Sequence, residues 1–318
     1  MKISVLTTLY YSENYIQEFY NRTLACLQKI QCSYEFVFVD DGSPDRSLEK
    51  AIAIAQKDSN VKVIELSRNF GHHPALLTAL QNATGDWIFL IDSDLEEAPE
   101  LLLTYWQNLE QNSDFDVIYG VQEKRKGNWF EKVSGKVYYK LFGLISNINY
   151  PADTLTARLM SRKYVQALLQ FPEREMDLWC IFQMAGFRQK AIIVNKGFKG
   201  KSTYTLKRKL QIALNTITSV SHRPLYFVFY LGLLITLFAL GYITWIIYQY
   251  FAYDEKIEGW TSLAVSIWAI GGLVVFSIGI VGIYLAKIFL EIKQRPRSII
   301  RNVYEKDSIK IKDDSLES

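Results

Sequence analysis

The chain has 318 residues, of which 49% are hydrophobic and 22% charged, with a formal net charge of +3 and a mean hydropathy of +0.02. That apolar share with so little net charge excludes a disordered chain and a strongly basic nucleic-acid binder, so one or two ordinary domains and no nucleic-acid partner are expected. Its three cysteines, Cys26, Cys32 and Cys180, show no CxxC spacing, which argues against a disulfide framework or structural zinc and suits a reducing compartment.

Residues 1–121 alternate short apolar runs with amphipathic ones. Strands are expected at Ile3–Leu9, Tyr34–Val39, Val61–Leu66, Trp87–Ile91 and Val117–Val121, and helices at Ile16–Lys29, Ser47–Ala55, Pro74–Asn82 and Pro99–Leu109. This alternation predicts βαβ units and an α/β fold, a parallel sheet with helices on both faces whose ligand lies at the carboxyl ends of the strands. Polar residues gather at those ends: TTLYYSEN after the first strand, VDDGSPD after the second, SRNFGHH after the third and IDSDLEEAPE after the fourth. Turn chemistry accounts for any one of these segments alone. Four of them on one edge of one sheet mark a site.

Asp92 and Asp94 stand at i and i+2 directly after an apolar strand. In an extended chain their side chains would share a face and reach one site. Two such carboxylates repel unless a cation relieves them, and an all-oxygen set suits Mg²⁺ or Mn²⁺. No GxxxxGK[ST] or GxGxxG segment is present, so a nucleoside diphosphate neutralised by the metal is expected rather than one cradled by a glycine loop. Asp40-Asp41-Gly42-Ser43 adds carboxylates able to accept from a base N–H or a ribose hydroxyl, with a glycine that lets the backbone approach a ligand. His72 and His73, adjacent in sequence, point different ways and are not expected to share a metal.

Further along, Trp129–Ile148 carries an apolar, aromatic stripe beside Lys132, Lys136 and Lys140, the pattern of a helix at a membrane interface, with a core-packed helix bearing solvated lysines as the alternative. Glu173, Glu175 and Asp177 read as a charged helix start, with the reach of one carboxylate to a ligand left open. A second amphipathic segment, Ser202–Ser221, sets Lys207, Arg208 and Lys209 opposite Leu206, Leu210, Leu214 and Ile217.

Leu225–Tyr253 and Gly259–Ala286 then run for 29 and 28 residues without a charge or a histidine, each long enough to cross a bilayer. The loop between them, residues 254–258, has a net charge of −2, whereas Lys196–Arg223 carries seven basic residues and no acid, and Lys287–Arg301 five against one Glu. The positive-inside rule therefore puts the first 224 residues and both termini in the cytoplasm, with the hairpin in a cell inner membrane. The first residues read as a strand with no signal peptide. Gly272, Gly279 and Ala286 form a short seam of small residues that permits close helix contact, although ordinary membrane-helix glycine explains it equally well. The expected division is a catalytic domain at 1–200, an interfacial helix at 201–224, two spans at 225–286 and a tail at 287–318.

The segments VDDGSPD (39–45), LSRNFGHHPALLTAL (66–80), GDWIFLIDSDLEEAPE (85–100), VIYGVQEKR (117–125), RLMSRKYVQAL (158–168) and GKSTYTLKRKL (200–210), with two final membrane helices, resemble the family 2 glycosyltransferases. Within that family the likeness is to bacterial polyprenyl-phosphate glycosyltransferases and dolichyl-phosphate mannose synthases. The resemblance covers roughly residues 3–290. It implies a glycosyltransferase A-type fold, a nucleotide-sugar donor and inversion at the anomeric carbon. Carried onto this chain, Thr8, Tyr10, Glu13, Asp40 and Asp41 would hold the nucleoside and Asp92 would face ribose or sugar. Asp94, with Glu96 where the family often has Gln, would bind the metal, making Asp92 and Asp94 the catalytic pair.

Two departures stand out. Thr8 replaces a usual Pro, and Leu155-Thr156-Ala157 stands where many relatives carry an acidic Gly-Asp-Phe segment. Asp153 is too weakly placed to inherit that acid's role. The loss matters little if the acceptor is a lipid phosphate. A sugar hydroxyl needs a general base, whereas a phosphate monoester is already anionic and needs only cationic company. Arg125, Lys201 and Ser202 are the candidate contacts for that phosphate. The expected reaction is metal-dependent transfer of a hexose, glucose from UDP-glucose, to undecaprenyl phosphate. Mannose, N-acetylglucosamine or a modified pentose stays open as the sugar, as do a dolichyl carrier and a homo-oligomer. A processive polysaccharide synthase would need more spans and usually a QxxRW segment, both missing here. A non-catalytic module binding nucleotide-sugar or lipid is the competing class.

Overall fold

The computed structural model describes residues 1–122, 154–172, 178–194, 223–253 and 259–306. The candidate interfacial segments Trp129–Ile148 and Ser202–Ser221, the cluster Glu173, Glu175 and Asp177, and Arg125, Asp153, Lys201 and Ser202 lie outside the described residues. The chain divides into two units, one formed by residues 1–139, 148–203 and 295–318, the other by 140–147 and 204–294.

In the first unit the apolar runs form β1 (Lys2–Leu9), β2 (Ser33–Asp40), β3 (Val61–Leu66), β4 (Trp87–Leu90) and β5 (Val117–Gln122). The helices between them are α1 (Ile16–Ile30), α2 (Ser47–Lys57), α3 (His72–Asn82) and α4 (Leu101–Gln111). Then follow β6 (Thr154–Ser161), α5 (Arg162–Leu168), α6 (Leu178–Met184) and β7 (Gln189–Val194), and after the second unit β8 (Ile300–Tyr304). The eight strands lie in the order β7-β5-β6-β4-β1-β2-β3-β8. β3, β2, β1 and β4 are parallel neighbours, so their carboxyl ends share one edge of the sheet.

Alternation along each strand feeds two cores. Phe36, Phe38, Val63 and Phe89 pack with Ile16 and Phe19 of α1, Ala51 and Ile54 of α2, and Leu102 of α4. Their neighbours Val37, Val39, Ile64 and Ile88 turn the other way, onto Ala75, Leu76 and Leu80 of α3, Val165 of α5 and Ile181 of α6. Helices therefore cover both faces, in the mixed and mostly parallel α/β architecture that the resemblance implies.

The sheet is not wholly parallel. β6 runs antiparallel to both β4 and β5, and β8 antiparallel to β3. β8 divides the expected tail at 287–318: the helix before it continues to Ile292, and Ile300–Tyr304 then returns to the sheet. Glu65 of β3 anchors that return, accepting from Asn302 and Tyr304 at 2.8 Å and from Arg301 at 3.2 Å. The segment leading to β8 is also held, through the Ser298 and Thr78 hydroxyls 2.6 Å apart, the Ser67 N–H donating to the Ile299 carbonyl, and Arg297 donating to the Phe171 carbonyl.

The second unit contains α7 (Arg223–Tyr253) and α8 (Trp260–Ile292). Arg223–Tyr242 and Ala269–Ile292, 20 and 24 residues, are long and apolar enough to cross a membrane, and neither is buried within the protein. Nothing among the described residues comes within 4 Å of where a Cβ would stand at Gly272 or Gly279.

Burial raises the Glu65 carboxyl, but donation by Asn302, Tyr304 and Arg301 outweighs it and holds the group below its usual range. The stabilisation is therefore present above the unfolded pKa and is lost as pH falls through the folded one. Glu65→Leu, which removes the acceptor of the half-buried Asn302 and Tyr304 side chains and of the exposed Arg301, is expected to lower stability at neutral pH by about 1–3 kcal/mol. Thermal unfolding of the purified full chain measures this, and the gap to wild type should shrink as pH falls through and below the usual carboxylate range, where the wild-type carboxylate takes up its proton. A gap that stays constant with pH would mean that the backbone ladder alone holds β8.

Candidate active site

Hydroxyls join the loops leaving β1, β2 and β4. The Ser12 and Ser93 hydroxyls are 2.9 Å apart, and Ser93 Oγ donates to the Thr8 carbonyl at 3.1 Å. The Ser12 N–H donates to Ser47 Oγ and the Tyr11 N–H to Ser43 Oγ, both at 2.9 Å. Tyr11 takes a left-handed φ of 56° there, and Tyr10 and Tyr11 stand exposed beside each other, ring centroids 4.8 Å apart.

The loops after β2 and β3 lock together through Asp41 and Gly42. Asp41 accepts from the Phe70 N–H at 2.7 Å and the Gly71 N–H at 2.9 Å. Gly42, at φ 63°, lies so close to the facing loop that a Cβ would stand 2.6 Å from Asn69 N and 2.8 Å from Arg68 C. Only glycine tolerates both the approach and the dihedral. The co-occurrence of DDGS and SRNFG thus has a mechanical cause.

That lock assigns the two aspartates different work. Asp41, expected to hold a nucleoside, spends both oxygens on backbone. Asp40 is 2% exposed, and its Oδ1 is buried with no hydrogen-bond partner among the described residues, while Oδ2 accepts weakly from the Ser43 N–H at 3.3 Å. Burial pushes the Asp40 carboxyl up to about 6, against the Ser43 N–H and helped by Glu65 and Asp45. A buried acceptor with an open lone pair at the carboxyl edge of the sheet is what a base N–H would meet. Glu13 has protein partners: its Oε1 lies 3.5 Å from Lys50 Nζ, and its N–H donates to Asp45 at 3.1 Å.

The segment after β4 departs from the expected extended geometry. Ser93 and Asp94 lie in a turn, and Leu95 takes a left-handed φ of 61°, a costly conformation for a side chain branched beyond Cβ that the surrounding packing must enforce. Leu95 packs against the first core, and Asp94 Oδ1 accepts the Glu96 N–H at 2.9 Å. The two aspartates are therefore presented by a turn rather than by strand alternation. Asp92 Oδ2 accepts from the Thr156 hydroxyl at 2.8 Å, while Oδ1 faces His72 Nε2 at 3.5 Å.

Two residues beneath the site had no sequence assignment. Glu97, 2% exposed, accepts the Thr156 N–H at 3.0 Å and the Ala157 N–H at 2.6 Å, tying the loop to the start of β6. Arg158, also 2% exposed, has its guanidinium 3.6 Å from the Phe182 ring centroid and 4.7 Å from that of Trp179, and it donates to the Thr156 carbonyl. Glu97 lies inside the DLEEAPE motif and Arg158 inside RLMSR, but nothing in spacing reveals which members of a motif turn inward.

Among the described residues no three His, Cys, Asp or Glu side chains converge as a metal cage. The donor set present, Asp94 and Glu96 on one short loop, fits the alternative, a hard cation held by one or two carboxylates and completed by substrate phosphates and water. His72 and His73, ring centroids 5.9 Å apart, turn to different partners: His72 toward Thr8 and Asp92, and His73 toward the Trp179 ring.

Because the Asp40 pKa lies above that of an ordinary carboxyl, its ionised form costs stability, increasingly from about pH 4 to 6 and in full above that. Asp40→Asn should therefore make the ligand-free protein more stable at pH 7.5, by on the order of 1–3 kcal/mol, with the gain vanishing below about pH 4. The same variant should bind a nucleoside diphosphate about tenfold or more weakly. Thermal unfolding and calorimetry read the two effects. Lower stability together with unchanged binding would contradict the role given to Asp40.

Residues 4–169, just over half of the chain, match the model of the family described as glycosyl transferase family 2. A Mycobacterium tuberculosis (strain CDC 1551 / Oshkosh) protein, described as a glycosyltransferase, is 44% identical over 96% of this chain and 90% of its own length. The prophage bactoprenol glucosyl transferase homolog of Escherichia coli (strain K12) is 30% identical over 95% of this chain and 99% of its own. Among solved structures, the glucosyl-3-phosphoglycerate synthase of Mycobacterium tuberculosis in complex with uridine diphosphate superposes with a TM-score of 0.46 and 17% identity, over 69% of this chain and 78% of that one. That likeness is too loose to bear on ligands. The family match and the near-full-length relatives make the chain a glycosyltransferase of family 2.

Proposed function

We propose that the chain transfers a hexose, glucose from UDP-glucose, to a polyprenyl phosphate at the cytoplasmic face of a membrane, with inversion at the anomeric carbon. The observation that carries this reading is the environment of Asp92. Where many relatives have an acid before the RLMSR strand, Thr156 donates a hydrogen bond to Asp92. A hydroxyl donating to a carboxylate is not a general base. The site is therefore suited to an acceptor that arrives already ionised, as a phosphate does. Likeness along nearly the whole chain to a bactoprenol glucosyl transferase homolog supports a polyprenyl lipid as the carrier of that phosphate.

In this reaction the acceptor phosphate oxygen forms a bond to the anomeric carbon on the face opposite the nucleotide. The bond from that carbon to the β-phosphate oxygen breaks, and the nucleoside diphosphate leaves with the electron pair. No proton has to move. Asp40 accepts from the base, the exposed rings of Tyr10 and Tyr11 offer it a surface, and Asp92 orients the sugar. Asp94 and Glu96 would hold a Mg²⁺ or Mn²⁺ ion, whose charge would favour departure of the diphosphate.

The two long apolar helices are read as a membrane hairpin. β8 supports the topology: residues before α7 and after α8 belong to one sheet, so the chain between them must cross a membrane an even number of times. The basic residues flanking the hairpin favour the cytoplasmic side and would draw an anionic lipid acceptor toward the bilayer surface.

Purified full chain given labelled UDP-glucose, undecaprenyl phosphate and Mg²⁺ should yield a glycosylated lipid phosphate of inverted configuration. Chelation of the metal, or Asp94→Asn, should reduce the rate about 100-fold or more. Transfer of another sugar from a donor panel would correct the hexose. Retained nucleotide binding with no transfer would favour the non-catalytic module.

A further inference from the structure

We propose that His72 is a positioning residue of the transfer reaction, holding the Asp92 carboxylate in a single orientation from the side opposite Thr156. This rests on the functional reading above. His72 opens α3, directly after Gly71, whose N–H is fixed by Asp41. Its Nδ1 lies 3.2 Å from Thr8 Oγ1 and its Nε2 3.5 Å from Asp92 Oδ1. That oxygen is buried and has no hydrogen-bond partner among the described residues, and the imidazole is a polar group placed to complete it. Such contacts are commonly long in the ligand-free state and tighten when substrate fills the site.

Only a ring nitrogen bearing hydrogen can face a carboxylate favourably, so Nε2 carries one, and the Thr8 hydroxyl, which can donate or accept, pairs with Nδ1. The result is a line of polar contacts, Thr8 to His72 to Asp92, met from the other side by Thr156. It spans the ends of β1, α3, β4 and β6. Thr8, which stands where the family usually has Pro, gains a function in this line, since proline has no hydroxyl to orient the ring. His73 takes no part, its ring lying edge-on to Trp179 at 6.3 Å.

His72 is a positioning residue and not a nucleotide contact, so its loss should appear in kcat and not in binding. His72→Leu is expected to lower kcat about 10- to 100-fold while the KM for donor and the Kd for UDP change less than about threefold. His72→Gln, which keeps an N–H donor at a similar reach, should recover to within about fivefold of wild type. In an Asp92→Asn background, His72→Leu should cost nothing further, because the residue it orients has lost its charge. Any of three results would overturn the proposal: His72→Leu within twofold of wild type in kcat, His72→Gln as impaired as His72→Leu, or undiminished loss in the Asp92→Asn background. Slow hydrolysis of UDP-glucose to water reads the same variants without an acceptor. Wild-type failure to glycosylate lipid phosphate would therefore count against the proposed acceptor and still leave the histidine tested.

Discussion

The contact between the loops after β2 and β3 is the constraint on which the geometry at this edge of the sheet depends. Asp41 ties down two backbone N–H groups of the neighbouring loop, and Gly42 lets the two backbones touch. Each depends on the other, since a Cβ at position 42 would push apart the groups that Asp41 bonds. Because Asp41 is consumed in this way, Asp40 is left buried with an open oxygen, and His72 is set at the start of α3 within reach of Asp92. A glycosyltransferase needs its donor-binding groups fixed before substrate arrives, because the charge that develops on the departing diphosphate is best met by groups that need not move.

The other end of the site depends on buried charge. Glu97 and Arg158 lie where solvent does not reach, and both are satisfied by backbone groups of one short stretch, Leu155–Ala157. A buried charge is tolerated when its partners are complete, and it then fixes the backbone that provides them. Thr156 is held in this manner, and its hydroxyl fixes Asp92. The strained turn at Leu95 and the hydrogen bond from Glu96 N–H to Asp94 complete a loop with few alternative conformations.

Much of this fold was legible in the sequence. The five parallel-type runs β1 to β5 and the helices α1 to α4 fall within about two residues of their expected bounds, since hydrophobic period is the signal that packing obeys most directly. α3 begins at His72, two residues before Pro74, because Gly71 at φ 101° ends the loop there. β7 and β8 were not legible. QKAIIV is a half-exposed edge strand without clean alternation, and IRNVY lies in a basic stretch that reads as solvated until Glu65 is seen opposite it. In the site, residue types were readable and roles were not. Asp40 and Asp41 are identical neighbours that only the third dimension distinguishes. The Asp92–Asp94 spacing suggested a strand where a turn exists, because nothing in the sequence announces a leucine in the left-handed region.

Under the proposed function, a hydroxyl at Thr156 in place of an acid leaves a site that glycosylates an ionised acceptor without a general base. Two acceptors that differ in one group, undecaprenyl phosphate and undecaprenol, given to the purified enzyme and compared by kcat/KM for transfer from UDP-glucose, distinguish such a site from one with a base. Transfer to the phosphate should exceed transfer to the alcohol by about 1,000-fold or more, the scale on which general-base assistance and charge recognition act together. Comparable rates on the two acceptors would mean that the site contains a base, and would contradict the proposed function.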